Sequence, residues 1–410
     1  MKLLYIADGR SPIALNWISY FIRIGHEVHL ASTFPCPPIE GLASLMLIPV
    51  AMSGVYGQPE IRSGNRGRIL RQIVPVSLRT KLRHWVAPLS FSRAANILRE
   101  VTEQIQPDLI HAMRIPYEGM IASIALRRSM GAGARNITPP LLISVWGNDF
   151  TLHARSTSVM GNYTRQALRD SDALHTDCQR DQDLAMELGF APTKPSIILP
   201  GGGGIKLDVF YPTETLSKDS GIHHFVDELP VTIINPRGFR AYVSNDTFFQ
   251  AIPSVLSKYP DVRFICPGMA GETQAYKWIM ELGIGHQVEL LPVQSQLEMA
   301  KLFRRSQISV SITTHDGTPN SLLEAMASGC FPIAGDIQSL HEWITPDENG
   351  LLVDPGDPNA LAKAIQKVLS QRELRRQARE RNLQIVKERA EYETIMHTAE
   401  EFCSRLISKI

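Results

Sequence analysis

The pattern of apolar residues is the feature that most constrains how this chain folds. Short apolar runs alternate with helix-length amphipathic segments from the first residues onward, and the same alternation restarts near residue 231. A buried apolar run followed by an amphipathic helix is typical of a parallel sheet that helices cover on both faces. The sequence therefore predicts an α/β fold with two Rossmann-like units, each built on a doubly wound parallel sheet.

The chain length supports the same division. A chain of 410 residues exceeds the roughly 250–300 residues at which a single hydrophobic core stops growing. Between the two units lie several prolines and four consecutive glycines that begin at Gly201, a composition typical of a hinge. We predict an amino-terminal domain at residues 1–200, a linker at 201–228, a carboxy-terminal domain at 229–385 and a final helix at 386–410 with the length to pack back on the first domain.

The composition is that of a globular protein in a reducing compartment. Hydrophobic residues make up 44% and charged residues 20% of the chain, and the longest apolar stretch falls short of the ~20 residues that span a bilayer. The five cysteines are dispersed without a CxxC pair, so we expect neither a disulfide framework nor a zinc site. The first apolar run is too short for a signal peptide. These features predict a cytoplasmic protein.

The net charge of +1 conceals one strongly basic segment. From Arg62 to Arg99 the chain has nine Lys and Arg residues and no acidic residue, which leaves −8 for the rest. Apolar residues, among them Trp85, interleave with these cations, and this pattern suits the headgroup layer of an anionic membrane. The alternative is a solvated helix face with the apolar residues in the core. Without a stacking motif or a recognised nucleic-acid-binding fold, no nucleic-acid partner is predicted.

The stretch that begins at Ser309 predicts a strand, a turn and a helix in succession. Thr318 is expected to cap the helix, Pro319 to occupy its first position, and Gly329 to end it. In an open α/β sheet, ligands bind at the carboxyl ends of the strands, where the free N–H groups of such a helix suit phosphate or sugar oxygens.

Two carboxylates bracket this turn, Asp316 before the helix and Glu324 inside it. A carboxylate can accept hydrogen bonds from both hydroxyl groups of a sugar diol, so two at this spacing could hold both ends of one nucleotide sugar. The alternative interpretation has Asp316 capping the turn and Glu324 solvated on the helix surface.

Fourteen consecutive positions, Asp316 to Gly329, resemble the (E/D)-G-x-P-N-x-L-L-E-A-M-A-x-G signature of the family 4 retaining glycosyltransferases. The resemblance implies the GT-B fold, with two Rossmann-like domains facing across a cleft, and transfer of a sugar from a nucleotide diphosphate with retention of configuration. It implies that Glu324 holds the ribose. Asp316, where glutamate is more usual, and the residues after it then face the donor sugar and phosphates: Gly317, Thr318, Pro319, Asn320, Ser321 and Leu322.

Arg237 follows the first strand of the second domain. An arginine at a strand's carboxyl end can place a permanent charge against a diphosphate and stabilise it as the sugar–phosphate bond breaks. The family usually has a lysine about five residues later, and this chain lacks it, so either Arg240 supplies the second charge or the site is weaker. The alternative for Arg237 is a surface ion pair.

The first domain carries weaker family landmarks. The segment around His111 resembles a family strand, although His111 taken alone is more typical of a buried strand end. The segment Trp146-Gly-Asn148-Asp149 resembles H-G-x-D, with Trp146 in place of the histidine. Trp146 is then a candidate to stack on a sugar or acceptor, and Asp149 is an acidic catalytic candidate. Candidates on the acceptor or sugar side are Arg10, Ser11, His111, Trp146 and Asn148.

The resulting hypothesis is a retaining hexosyltransferase that uses a nucleotide sugar and an envelope, lipid-linked or polysaccharide acceptor. Cationic side chains and backbone dipoles supply the charge in this hypothesis, so no metal or other cofactor is expected. A peripheral position on the inner face of the cell membrane would follow from the basic segment. Two alternatives stay open: a sugar-nucleotide epimerase of the same fold, and a catalytically silent binding subunit, which the missing lysine and Trp146 would suit.

Overall fold

The computed structural model describes residues 1–50, 86–130, 139–213 and 231–408. The chain divides into two compact units, one formed by Met1–Gly204 with Glu393–Ile410 and the other by Ile205–Tyr392. Each unit is a parallel sheet flanked by helices. The predicted class of two Rossmann-like α/β units is thereby confirmed. Residues 214–228 of the predicted linker and the first two residues of the predicted second domain lie outside the described residues.

The first unit contains seven strands and, before the hinge, five α-helices within its described part. The strands are β1 (Lys2–Ala7), β2 (Glu27–Ser32), β3 (Ser44–Leu47), β4 (Leu109–Ala112), β5 (Leu141–Val145), β6 (Ala173–Thr176) and β7 (Ser196–Ile198). The helices are α1 (Pro12–Arg23), α2 (Pro88–Ile105), α3 (Met120–Met130), α4 (Ser158–Asp170) and α5 (Gln179–Glu187). The strand order is β3-β2-β1-β4-β5-β6-β7.

The second unit repeats this architecture with six strands. They are β8 (Thr232–Ile234), β9 (Arg263–Pro267), β10 (Val288–Leu291), β11 (Ile308–Ser311), β12 (Phe331–Gly335) and β13 (Leu351–Val353), in the order β10-β9-β8-β11-β12-β13. The helices are α6 (Asn245–Leu256), α7 (Thr273–Leu282), α8 (Gln296–Arg305), α9 (Asn320–Ala327), α10 (Pro358–Ser370) and α11 (Arg372–Arg389).

The charged carboxy-terminal tail forms α11 and a last helix, α12 (Tyr392–Ile407). Residues from Glu393 onward belong to the first unit. Glu393 accepts hydrogen bonds from Arg23 of α1 at 2.6 Å on both carboxylate oxygens. The chain therefore crosses from the first unit to the second and returns to the first.

Burial explains why the strands form where they do. Leu4 and Ile6 of β1 and Ile110 of β4 are fully buried, because helices cover both faces of the sheet. Burying each such side chain contributes roughly 1.5–3 kcal/mol relative to leaving it exposed. The second unit has the same kind of core, with Phe264 of β9 and Val310 of β11 also fully buried.

The strand order places one switch point in each sheet. In the first sheet the chain direction across the sheet reverses between β1 and β4, which pair in parallel with Leu3 opposite Leu109. In the second it reverses between β8 and β11, with Ile233 opposite Ile308. The loops at the carboxyl ends of these strand pairs are the positions at which open α/β sheets bind ligands.

Candidate functional site

The switch point of the second unit brings together two sequence-predicted residues that are 79 positions apart. Arg237 follows β8, and Asp316 follows β11. The Nη2 atom of Arg237 lies 2.6 Å from Oδ2 of Asp316, and its Nη1 donates to the Ser321 hydroxyl at 3.1 Å. The Arg237 and Asp316 side chains are 12% and 16% exposed. The predicted alternative of a solvated surface pair for Arg237 therefore disagrees with the structure.

One donor of the Arg237 guanidinium, its Nε–H group, is not used in a hydrogen bond within the described residues. Its Nε atom is buried and has no hydrogen-bond partner among the described residues. The side chain of Asn235 accepts from the Arg237 backbone N–H at 3.2 Å, which fixes the start of the loop. A buried donor without a partner is costly, and a ligand oxygen would relieve that cost.

The loops after β8 and β11 are joined by backbone hydrogen bonds. Val243 forms an antiparallel bridge with Thr313, and Thr314 N donates to the Tyr242 carbonyl at 2.9 Å. Ser244 N likewise donates to the Ile312 carbonyl at 2.9 Å. The residues at which the family usually has its lysine, 242–244, therefore hold the loop that leads to Asp316 through backbone hydrogen bonds.

Helix α9 begins one residue later than predicted. Pro319 has an extended backbone, with φ −70° and ψ 122°, and it is the cap residue, so the prediction that Thr318 caps the helix is wrong. The reason is a contact distant in sequence: Trp343 Nε1 donates to the Thr318 hydroxyl at 3.0 Å. Among the described residues, the backbone N–H groups of Asn320 and Ser321 make no hydrogen bond, as expected for the first turn of a helix.

Glu324 lies on the second turn of α9 and is partly buried. Burial raises the pKa of its carboxyl to about 7, and the positive charge of Arg237 partly opposes that shift. Within the described residues the carboxylate makes no hydrogen bond or ion pair. A freely solvated Glu324, the alternative from the sequence, does not agree with this environment, which leaves the carboxylate available to a ligand.

Replacing Glu324 with glutamine is expected to stabilise the protein above pH 7 but not below pH 4.5. The raised pKa means that the folded chain holds this proton more tightly than the unfolded chain, whose carboxyl has the ordinary value of 4.5. Stability is therefore lost as the pH rises from 4.5 to about 7. Glutamine cannot ionise, so the melting temperature of the variant should exceed that of the parent increasingly across this window. A difference in melting temperature that stays constant across this window would contradict the burial of Glu324.

Of the remaining candidate site residues in the second unit, two lie in the interior and one lies at the surface. Gly317 is buried in the loop, and Leu322 is 2% exposed in the hydrophobic core, so its side chain supports α9 from inside. Arg240 is exposed, and within the described residues its side chain makes no hydrogen bond or ion pair. The structure therefore does not bring Arg240 into the cluster around Arg237.

The first unit has its own cluster at the carboxyl end of β1. Arg10 donates from Nε and Nη2 to the Asp8 carboxylate, each at 2.9 Å, and its guanidinium carbon lies 3.9 Å from the centre of the Phe34 ring. Ser11 caps α1 by accepting from Ala14 N at 3.4 Å. The predicted pair Arg10 and Ser11 thus begins the helix next to the switch point.

A residue that the sequence analysis missed, Arg114, joins the predicted candidates after β5. Arg114 follows β4 and donates from Nε to Asp149 Oδ1 at 3.0 Å and from Nη2 to Asn148 Oδ1 at 2.7 Å. Its guanidinium carbon lies 5.7 Å from the centre of the Trp146 ring. Asp149, predicted as an acidic catalytic candidate, is fully buried and begins a π-helical turn, Asp149–His153. Burial raises the pKa of Asp149, and Arg114 opposes that shift.

His111 lies in the interior and not at the edge of the sheet. Its Nε2 lies 2.7 Å from the Ser144 hydroxyl, which lies 2.9 Å from His175 Nδ1, and His175 Nε2 lies 3.0 Å from the Leu199 carbonyl. The carbonyl can only accept, so His175 is protonated on Nε2, Ser144 donates to its Nδ1, and His111 donates to Ser144. Burial lowers the pKa of His111 well below the usual range and that of His175 to about 4. This chain of hydrogen bonds runs across β4, β5 and β6 to the Leu199 carbonyl, and it holds the segment between β7 and Gly201.

Two carboxylates and one thiol lie close enough together to bind a metal ion. Among the described residues, the ligand atoms of Asp177, Cys178 and Asp181 lie within 4.8 Å of one another, all buried. Arg180 already donates to Asp181 from Nε at 2.9 Å and Nη2 at 2.7 Å, and it also donates to the Gly147 carbonyl. This guanidinium supplies the positive charge, so we do not assign a metal centre here.

Most of the basic segment lies outside the described residues, which omit 51–85. Of its nine cations the structure describes Arg93, which is exposed on α2, and Arg99, which donates to Asn96 at 3.0 Å. No helix in the described residues combines the length and the apolar character needed to cross a bilayer. The predicted membrane contact of the segment stays a prediction.

Two family models match the chain. Residues 9–201 match the glycosyl transferase 4-like domain, and residues 225–384 match the model of glycosyl transferases group 1. Among curated relatives, a GDP-mannose:cellobiosyl-diphosphopolyprenol alpha-mannosyltransferase of Xanthomonas campestris is 28% identical over 120 residues, which cover 28% of this chain and 32% of that protein. The match thus spans about a third of the length of that relative.

Solved structures with low sequence identity share the whole fold. A sucrose-phosphate synthase of Thermosynechococcus elongatus superposes with a TM-score of 0.72 at 14% identity, covering 100% of both chains. HepE of Anabaena, solved in complex with UDP, superposes with a TM-score of 0.69 at 15% identity, covering 99% of this chain and 100% of that one. At these identities the likeness establishes the GT-B fold alone.

Proposed function

Because this chain belongs to the glycosyl transferases of group 1, with a glycosyl transferase 4-like domain preceding the group 1 domain, we propose that it transfers a sugar from a nucleotide diphosphate to an acceptor. The observation that carries the proposal is the cluster at the second switch point. There a nearly buried arginine, a carboxylate and the start of a helix meet, with Glu324 eight residues after Asp316. These groups suit the diphosphate and the hydroxyl groups of a nucleotide diphosphate sugar.

Each group has a role in this proposal. Arg237, whose Nε has no partner among the described residues, donates to the diphosphate and stabilises its charge as the sugar departs. The N–H groups of Asn320 and Ser321 add the positive end of the α9 dipole. Glu324 accepts hydrogen bonds from the ribose hydroxyl groups. Asp316 holds Arg237 before the donor binds and faces the donor sugar afterwards. No metal enters the proposal, since Arg237 and α9 supply the charge.

The reaction exchanges one bond for another at the anomeric carbon. The bond to the diphosphate oxygen breaks, a bond to the acceptor hydroxyl oxygen forms, and the hydroxyl proton passes to the departing diphosphate. The proposal includes retention of configuration and transfer of a hexose because the sequence resembles the family 4 retaining enzymes.

We propose an envelope acceptor, either lipid-linked or a polysaccharide, bound mainly by the first unit. The Xanthomonas relative supports this choice, since its name specifies a polyprenol-linked acceptor and GDP-mannose as donor. The basic segment between Arg62 and Arg99 would bring the protein to the anionic inner face of the cell membrane, which fits a cytoplasmic protein.

A panel of UDP-, GDP- and ADP-sugars tests the proposed activity. Purified protein should bind at least one donor and release its nucleotide, faster when extracted lipid acceptors are added. Binding without release in every combination would instead favour a silent subunit. Interconversion of the sugar without release would favour an epimerase, and no binding of any donor would exclude the transferase proposal.

A further inference from the structure

The first turn of α9 has two N–H groups open to a ligand, although the local sequence favours closing that turn. Within the described residues no side chain caps α9, and the N–H groups of Asn320 and Ser321 make no hydrogen bond. Threonine, the residue type at Thr318, is a preferred helix cap, and proline suits the first helical position. The observed start of α9 therefore departs from the preference of its own sequence.

A single backbone torsion separates the observed start of α9 from a capped one. Pro319 has φ −70°, which is already helical, and ψ 122°, which is extended. Rotation of this ψ to about −40° would make Pro319 the first helical residue and Thr318 the cap. The Thr318 hydroxyl would then accept from the N–H group of Asn320 or Ser321, and these are the groups that the proposed function assigns to the diphosphate.

The Thr318 hydroxyl is instead held by an indole from the segment after β12. Nε1 of Trp343 donates to Oγ1 of Thr318 at 3.0 Å, and the two residues are 6% and 5% exposed. A buried N–H group without an acceptor is costly, so the indole favours the arrangement in which the hydroxyl faces it. The same segment fixes the start of the loop, because Ser339 donates to the Asp316 carbonyl at 2.7 Å.

Trp343 is itself fixed from the side of α11. The guanidinium carbon of Arg389 lies 4.3 Å from the centre of the Trp343 ring, and Nη1 of Arg389 donates to the Glu342 carbonyl at 2.8 Å. The Trp343 carbonyl accepts from Asn349 at 2.8 Å, and Asn349 also donates to Asn382 of α11 at 2.9 Å. Both asparagines are buried. The ring and the backbone of Trp343 are therefore held in place.

We propose that Trp343 is a positioning residue for the donor site, which holds the Thr318 hydroxyl away from α9 and so keeps the first-turn N–H groups open to the diphosphate. This inference rests on the function proposed above and adds a residue outside the cluster at the switch point. The start of α9 has an open and a capped state, and the diphosphate binds the open state. Trp343 acts on the donor through Thr318 and not by contact.

Hydrogen exchange at the amides of Asn320 and Ser321 tests the inference in the full chain without any nucleotide. In the parent protein both amides should exchange fast, as expected for N–H groups without hydrogen bonds. Trp343→Phe keeps a ring but removes the donor, so Thr318 should cap α9 and slow exchange at one of the two amides about 5-fold, given the usual strength of a threonine cap. Adding Thr318→Val should return the fast exchange, because valine cannot accept a hydrogen bond.

Two further variants separate this effect from a general loss of packing. Thr318→Asn leaves Trp343 in place and should also slow exchange in the first turn, since asparagine is a stronger cap than threonine. Trp17→Phe removes a buried indole hydrogen bond from the first unit, that to the Gly201 carbonyl at 2.9 Å, and should leave both amides unchanged. Fast exchange at both amides in Trp343→Phe and in Thr318→Asn would overturn the proposal, and Thr318→Asn decides alone if Trp343→Phe does not fold.

Isothermal titration with UDP, GDP and ADP connects the first turn to donor recognition. Trp343→Phe should weaken binding of the nucleotide that the parent prefers by about 5-fold, because the ligand must displace the cap. The double variant Trp343→Phe with Thr318→Val should bind that nucleotide more tightly than Trp343→Phe alone. A Trp343 that merely supports the loop predicts no such recovery, and its absence in the folded double variant would overturn the proposal. Failure of all three nucleotides to bind the parent would count against the proposed function, and the exchange measurements would still decide the role of Trp343.

Discussion

Replacement of Glu324 by alanine is expected to weaken the binding of a nucleotide diphosphate sugar by about 100-fold. A hydrogen bond to a charged acceptor contributes about 1.5–3 kcal/mol, and each 1.4 kcal/mol is a tenfold change in affinity, so the loss of two ribose hydrogen bonds makes about 100-fold the smallest effect expected. Isothermal titration with the donor that the panel identifies, at a pH above the raised pKa of about 7, measures the effect on the ionised carboxylate.

Glu298→Ala is the matched control for this measurement. Glu298 lies at the start of α8, exposed and paired with Lys301 at 2.7 Å, so its loss should leave donor affinity unchanged. Glu324→Ala should also abolish the decline in donor affinity that the parent shows as the pH falls below about 7 and the carboxyl becomes protonated. An unchanged dissociation constant in the Glu324→Ala variant would show that the ribose is held elsewhere.

Arg237→Ala is expected to lower the rate of nucleotide release by about 10²–10³-fold, the cost usually seen when one preorganised donor to a developing negative charge is removed. The charge on the diphosphate grows as the sugar departs, so the loss should fall more on kcat than on donor affinity. Steady-state kinetics of nucleotide release, with donor concentrations that saturate each variant, separates the two effects.

Two further variants show which arginine acts on the leaving group. Arg305→Ala, an exposed residue at the end of α8, controls for the removal of a positive charge and should retain the parent rate. Arg240→Ala tests the second charge expected from the sequence, and because Arg240 is exposed and outside the cluster, its effect should be much smaller than that of Arg237→Ala. A larger loss in Arg240→Ala than in Arg237→Ala would reverse the assignment.

The sequence predicted the donor side well because its signals are local or topological. The stretch from Asp316 to Gly329 is contiguous, so its turn and helix could be predicted from neighbouring residues. Arg237 is far away in sequence, but the alternation of strands and helices placed it at the carboxyl end of a strand. The start of α9 was wrong by one residue because Trp343, distant in sequence, occupies the Thr318 hydroxyl.

The acceptor side was predicted less well because its arrangement depends on pairs of residues distant in sequence. The sequence presents Asp149 as an acidic catalytic candidate, whereas in the structure its side chain is buried and accepts a hydrogen bond from Arg114, 35 residues earlier. The available signal was an arginine two residues after one strand and an aspartate four residues after the next. Strands that follow each other in a parallel sheet usually pair, so this combination predicts an ion pair at the sheet edge.

Three arginines that follow strands at the carboxyl edges of the two sheets each form an ion pair with an aspartate, and these pairs limit how the sequence can evolve. The pairs are Arg114 with Asp149, Arg237 with Asp316 and Arg10 with Asp8. Loss of one member of a buried pair leaves an uncompensated charge and costs more than loss of both. The two positions of the Arg114 and Asp149 pair should therefore be exchanged together among related sequences, and a sequence without the arginine should also lack the carboxylate.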